Sequence, residues 1–276
     1  MEIIIKGADF SNLGLGNVRW VENYITLTGI TDTTKKTALR ALFTKYIASG
    51  FDSKFEVFRL FITGTASNDA LNIINPVYGS AYSLIFKNDA PDKHTTSGYA
   101  PLTSTAYAKS GYEIKDLTNF HLHCYNNGTG SFVLGRVANS SIASDYPSGI
   151  GTSNYNVSIF CNGNSSYFSC NQQNATITSG ALSVQGLYSV YKNNSAVVAR
   201  KDNAYIGALT STSVTIDPTI KLKMLEGTAG VSSSGAHYPS TNGKSFFIGY
   251  GATAWTDADE TNLNTMINDF KTAMGI

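Results

Sequence analysis

Charge is what this chain has least of. Only 14% of its 276 residues are Asp, Glu, Lys or Arg, and the net charge is +1, against roughly 25% charged residues in an average soluble domain. No long run of either sign occurs, so the concentrated basic footprint of a nucleic-acid-binding surface is missing. No apolar run approaches the ~20 residues of a membrane-crossing helix. Met1-Glu2-Ile3-Ile4-Ile5-Lys6 is too short and too acidic for a secretory leader, so the expected place of synthesis is the cytoplasm. Cysteine is scarce: Cys124, Cys161 and Cys170 are odd in number and contain no Cys-x-x-Cys pair, which points to free thiols rather than a disulfide framework. Cys161 and Cys170 flank a five-residue turn-like stretch, so spacing alone lets them face each other across a hairpin. The Asn-x-Ser/Thr triplets at Asn127, Asn156 and Asn174 carry no glycosylation signal without secretion.

Ser, Thr, Asn and Gly fill the deficit, together with 16 Tyr and 14 Phe. Hydroxyl and aromatic side chains suit sheet faces, and Asn and Gly suit the turns between strands. Two segments alone read as helix. One runs from about Asp32, a candidate N-cap, to Gly50, with Ala38, Leu39, Leu42, Phe43, Tyr46 and Ile47 in one apolar stripe. The other runs from Thr256 to Met274, with a capping-box pair in Thr256 and Asp259 and a stripe of Leu263, Met266, Ile267, Phe270 and Met274. Gly50 and Gly275 fit the left-handed position that ends a helix.

Between the helices, short strand-like stretches recur with turn signals and no alternating helices, the pattern of an all-β sandwich or barrel. Phe120, Leu122 and Cys124 alternate with His121, His123 and Tyr125, a period of two. The strongest hairpin signal is Leu187 to Val198 turning at Asn193-Asn194, since Asn tolerates positive φ. Ala204-Tyr205-Ile206-Gly207 and Phe246-Phe247-Ile248-Gly249 look alike and suit two strands of one sheet. The one candidate domain boundary lies near residue 50, dividing 1–50 from 51–276.

Catalytic patterns are few. A glycosidase needs two carboxylates ~5–5.5 Å or somewhat further apart, and no Glu-x-Asp-x-x-Glu strand occurs. Between Leu117 and Ile216 the acidic residues are Asp145 and Asp202. No Gly-x-Ser-x-Gly elbow or phosphate-binding glycine loop is present. No catalytic residue or cofactor is expected. His121 and His123, at i and i+2 on a strand, share a face and are the only candidate metal ligands; around a threefold axis three copies would offer six imidazoles. The competing reading is a polar sheet face, or a histidine bonded to backbone. Asp257, Asp259 and Glu260 sit in a helix's first turn, where carboxylates favour the dipole. Tyr99, Tyr107, Tyr112, Tyr146, Tyr155 and Tyr167 lie in loop-like stretches; each is a candidate for stacking on a sugar ring or for a core or interface position.

Several stretches resemble a family of phage tail and fibre proteins with a concanavalin-like, laminin-G-like domain, common in crAss-like gut phages. They are Ile4 to Phe10, Asn72 to Pro76 with Ala81 to Phe86, Gly98 to Gly111, His121 to Tyr125, and Phe247-Ile248-Gly249 followed by Thr256 to Glu260. Asn193-Asn194 stands where the family's hairpin usually carries Asn-Gly. The resemblance implies a concanavalin-like jelly-roll β-sandwich with one N-terminal and one C-terminal α-helix. It implies a structural component of a tailed-phage virion, in tail, baseplate or fibre, made in the host bacterial cytoplasm. Such a module acts in assembly or adhesion without catalysis; the alternatives are a glycan-binding receptor-recognition domain or a glycan hydrolase. The expected partners are other virion proteins through residues 1–50, sister copies in a homo-oligomer (a trimer by analogy), and a host surface glycan.

Overall fold

The computed structural model describes residues 18–77, 83–87, 93–100, 107–114, 118–128, 132–134, 136–139, 157–161, 166–170, 177–180, 185–210, 222–226, 230–231, 237–238 and 243–276. In chain order it begins with α1 (Val18–Thr28), α2 (Thr33–Ala48), β1 (Val57–Leu60) and the single turn α3 (Ala66–Asp69). Strands β2 (Leu84–Lys87), β3 (His94–Thr95), β4 (Gly98–Tyr99), β5 (Tyr107–Ile114) and β6 (Asn119–Asn126) follow, then β7 (Phe132–Leu134), β8 (Arg136–Asn139), β9 (Val157–Cys161), β10 (Ser166–Cys170) and β11 (Ile177–Ser179). The rest are β12 (Gly186–Asn193), β13 (Ala196–Lys201), β14 (Ala204–Thr210), β15 (Leu222–Glu226), β16 (Gly230–Val231), β17 (His237–Tyr238), β18 (Ser245–Gly251) and α4 (Asp257–Met274). The chain is mostly β, its strand pairs are antiparallel, and helices stand at both ends.

The main sheet runs β14-β13-β12-β6-β18-β4-β3, with β1 also paired to β18. Two four-stranded sheets, β11-β10-β9-β7 and β2-β5-β15-β8, accompany it. One face of the main sheet, carrying Phe120, Leu122, Cys124, Val190, Val197 and Ile248, packs against Ile159, Phe168 and Ile177 of the first small sheet and Leu84 of the second. The opposite face, with Phe58, Leu60, Tyr125, Tyr191 and Phe247, is roofed by α1, α2 and α4. The molecule is therefore layered helix, sheet, sheet.

The capped helices form where expected. Asp32 accepts from Lys35 N at 3.1 Å to start α2, and Gly50 follows it at φ 69°. Thr256 and Asp259 form the reciprocal capping box of α4, and Gly275 ends it at φ 70°. Ala204–Gly207 and Phe246–Gly249 do belong to one sheet. Asn194 takes φ 53° at the β12–β13 turn, while Asn193 holds both the N–H and the carbonyl of Trp255 through its side-chain amide. The second amide thus explains why Asn rather than a bare turn residue precedes the positive-φ position.

Three expectations are corrected. A helix, α1, forms ahead of the expected one: Val21, Tyr24 and Ile25 are buried at i, i+3 and i+4, a stripe obscured by the β-branched residues around it. The helix stops at Gly29, φ 65°. Residue 50 is not a break in packing, because Leu39, Leu42, Phe43 and Tyr46 share a core with Phe58, Trp255 and Phe270. Cys161 and Cys170 do not oppose each other: Cys161 pairs with Ser166 and Cys170 with Val157, at opposite ends of the β9–β10 hairpin. Cys124 is fully buried in the apolar layer of the main sheet.

Candidate functional site

His121 and His123 lie on β6, the strand flanked by β12 and β18. Being central, β6 is covered on both faces, and its histidines point under the helical roof rather than into solvent; both are 0% exposed. The neighbouring positions on β18 are glycines. A side chain at Gly251 would collide with the Lys54 carbonyl and approach His121 Nε2 at 2.9 Å, and one at Gly249 would meet Phe55 at 2.6 Å. The missing side chains are what let the loop at Lys54 and the imidazoles come together.

A continuous chain of polar atoms runs through this space. His121 Nε2 lies 3.1 Å from the Lys54 carbonyl, and His121 Nδ1 lies 3.0 Å from His123 Nε2. His123 Nδ1 is 2.8 Å from Ser189 Oγ, which is 2.6 Å from Glu260 Oε1. Trp255 Nε1 donates to Glu260 Oε2 at 3.1 Å. The indole also stacks on His121 at 4.4 Å and on Phe51 at 5.2 Å, and lies tilted against His123 at 4.4 Å. Thr253 Oγ1 sits 3.2 Å from the Lys54 carbonyl and 3.3 Å from His121 Nε2, closing the far end.

The end at Lys54 sets the proton positions, because a carbonyl can only accept. His121 Nε2 therefore carries a proton toward it. If His121 is neutral, its Nδ1 accepts from His123 Nε2–H, His123 Nδ1 accepts from Ser189 Oγ–H, and Glu260 completes the series as a protonated carboxyl. If Glu260 is ionised, Ser189 donates to it, every bond but that to the Lys54 carbonyl reverses, and His121 must hold two protons. Both arrangements contain the same number of protons. Burial favours the uncharged one: desolvation pushes Glu260 up to about 7 and pulls His121 down to about 3. Burial and the neighbouring His121 hold His123 well below its ordinary range.

This arrangement fastens α4 and Trp255 to the sheet, and it leaves little for a ligand. All four imidazole nitrogens face partners inside the protein, so His121 and His123 are not metal ligands and cannot point at a symmetry axis. Nor is this a nucleophilic relay: the serine, not the histidine, stands between its two partners, the reverse of a triad. A second buried pair lies on the other side of the main sheet. Asp69 accepts from Thr63 N and Thr63 Oγ1 and lies 2.8 Å from His94 Nδ1, and His94 stacks on Tyr99 at 4.6 Å.

Of the tyrosines singled out, Tyr99 is fully buried against His94, Phe86 and Phe61, so it belongs to the core and offers no stacking face. Tyr107 and Tyr112 lie on β5 and Tyr167 on β10, with side chains outside the described residues. Tyr146 and Tyr155 lie outside them altogether. Ser189, Trp255 and Lys54 were not foreseen, and Glu260 was read as part of a helix start. The one usable signal was Glu260 itself, a second carboxylate beside an Asp that already served the cap.

No family model matches this chain, and no curated protein does. Among solved structures, a Trypanosoma rangeli sialidase in complex with 2,3-difluorosialic acid matches 85% of this chain and 39% of its own, at TM-score 0.53 and 9% identity. The binding domain of botulinum neurotoxin serotype D matches 78% of this chain and 52% of its own, at TM-score 0.49 and 5% identity. A CBM40 of the Ruminococcus gnavus IT-sialidase bound to α2,3 sialyllactose matches 60% of this chain and 91% of its own, at TM-score 0.40 and 12% identity. This chain spans well under half of the first sialidase, and the likeness concerns fold.

Proposed function

We propose that the protein is a non-catalytic structural module of a tailed-phage particle, a concanavalin-like jelly roll used for assembly or adhesion. The observation that carries this reading is where the reactive side chains stand. His94, His121, His123, Asp69 and Glu260 are all buried and bonded among themselves, so among the described residues this chemistry is spent on holding layers together. The resemblance of the sequence to phage tail and fibre proteins supplies the particle. The buried stripes of α1 and α2 are used within the chain, so among the described residues of that segment the outer surface is what faces virion partners and sister copies in a trimer. Mass spectrometry of gradient-purified particles from the encoding genome tests this. The chain should co-purify at fixed copy number, and its absence from particles would overturn the reading.

A second reading is recognition of a host glycan by the same sandwich. An exposed tyrosine at the edge of the main sheet favours it, and the sialidase and carbohydrate-binding-module structures of similar fold are consistent with it. A glycan array probed with the whole chain tests this reading; uniform lack of binding would remove it.

A further inference from the structure

Tyr205 lies near the start of β14, the outermost strand of the main sheet. It is 61% exposed, the most of any large apolar side chain among the described residues. Edge strands usually carry charge or are covered; here an aromatic ring is held on display. Its cross-strand partner is Arg200, whose guanidinium lies over the ring, 5.9 Å from its centroid. That cation is fixed from three sides. Its Nε donates to Tyr191 Oη at 3.0 Å, Nη1 to the Asn203 carbonyl at 2.9 Å, and Nη2 pairs with Asp257 Oδ2 at 2.6 Å. Tyr191 Oη in turn donates to Asp257 Oδ1 at 2.6 Å.

The result is a platform ready before any ligand arrives. Arg200 occupies one face of Tyr205, so the exposure falls on the other. The adjoining turn is fixed by Asp202 at φ 48° and Asn203 at φ 68°. The Asp257 side chain is 71% exposed, and each of its oxygens has lone pairs beyond the single bond it accepts. Bonds from Tyr191 and Arg200 hold its carboxyl below the usual range, so it is an anion at neutral pH.

We propose that Tyr205 and Asp257 form a subsite for a neutral pyranose unit of a glycan, with Arg200 as the positioning residue behind the ring. This rests on the second reading above. The C–H face of a pyranose carries partial positive charge and meets the electron-rich face of the tyrosine. Its hydroxyls donate to the Asp257 carboxylate at the rim, in the manner of a few polar groups fixing orientation on an apolar surface. Charge selects the sugar. The bonds of the Arg200 guanidinium end on the protein's own oxygens, and the charge facing outward is Asp257. A sialic acid carboxylate is repelled there; a neutral hexose is not.

The test uses the full-length chain on an array of neutral gluco- and galacto-configured oligosaccharides and their sialylated counterparts. Affinities are then measured by calorimetry for the wild type, Tyr205→Ala, Tyr205→Trp and Asp257→Asn, with melting curves for each. Neutral glycans should bind. Tyr205→Ala should weaken them about two- to tenfold, one stacking contact, with the melting temperature unchanged. Tyr205→Trp should retain binding, and Asp257→Asn should weaken it while relaxing the discrimination against sialylated sugars. Binding by the wild type that Tyr205→Ala leaves intact would place the site elsewhere and leave glycan recognition standing. No binding by the wild type would sink both. A Tyr205→Ala effect confined to oligomer mass in light scattering would make this edge a contact between copies and overturn the proposal.

Discussion

The two faces of the main sheet solve burial in different ways. Phe120, Leu122 and Cys124 point from β6 into a layer of mostly apolar side chains. His121, His123 and Tyr125 point from the same strand toward the helices, where the polar atoms of these three side chains meet named partners. Both faces are equally dry. The difference teaches that alternation of apolar and polar residues along a strand does not by itself mark a wet side. A central strand can carry imidazoles inward if the roof supplies a serine, a carboxyl and a backbone carbonyl at bonding distance, since the cost of burial falls on unpaired groups.

Single truncations test how far each face depends on its contents. Trp255→Ala should lose about 3–5 kcal/mol, because it removes both the stacking on His121 and Phe51 and the bond to Glu260. Leu122→Ala, on the apolar face, should lose about 2–5 kcal/mol without altering any titration. Urea unfolding followed by circular dichroism measures both. A loss under about 1 kcal/mol for Trp255→Ala would mean that the helix side is not a close-packed unit.

The faces should also differ in their response to pH. Glu260 titrates near 4.5 when unfolded and near 7 when folded. The folded chain therefore holds the extra proton between those values, and this contribution is lost as pH rises from about 4.5 to about 7. His121, moving from 6.5 to about 3, and His123, held well below 6.5, work in the opposite direction and together outweigh Glu260, so stability should fall as pH drops below about 6.5. Lys54 and Asp259 face His121, while Arg200 and Asp257 act on Glu260. The melting temperature should thus peak between about pH 6 and 7. Glu260→Gln keeps a neutral side chain in place and should remove the alkaline limb while steepening the acid one. An alkaline limb surviving in that variant would locate the proton elsewhere.

Smaller effects complete the series. Thr256→Ala removes the α4 cap and should cost about 1 kcal/mol, read from the shift of the urea midpoint. Asp269→Asn breaks a half-exposed ion pair with Lys45 and should move the melting temperature by less than about 2 °C. A larger shift would make that bridge part of the roof rather than an ornament on it.

Legibility in the sequence followed the range of the forces involved. α2 and α4 were readable because their stripes and caps are local: Asp32 and Thr256 act within three residues of themselves. α1 was not, since its three buried residues gain meaning only against a sheet formed much later in the chain. The His121–His123 pair was visible as a pair, yet its role depended on Lys54, Ser189 and Glu260, between 66 and 137 positions away from the nearer histidine. Tyr205 sat inside a recognised strand motif, and its exposure followed from β14 being the edge, which no local pattern encodes. Asn193 is the reverse case: a turn residue correctly placed whose side chain clasps the backbone of Trp255, 62 residues on.

The position of β18 has a consequence for how the molecule is made. This strand lies between β1 and β6 and joins the two, yet it leaves the ribosome after every other strand. Until it does, β1 and β6 have no common neighbour, and the roof formed by α1 and α2 lacks Phe246 and Phe247 beneath it. Vectorial folding from the amino end is therefore blocked, and a nascent chain must hold an open β6 edge for more than a hundred residues of synthesis. Such an edge invites pairing with another chain. Slow, concerted closure by β18 and α4 makes production of this protein sensitive to crowding of nascent copies, whatever the stability of the finished fold.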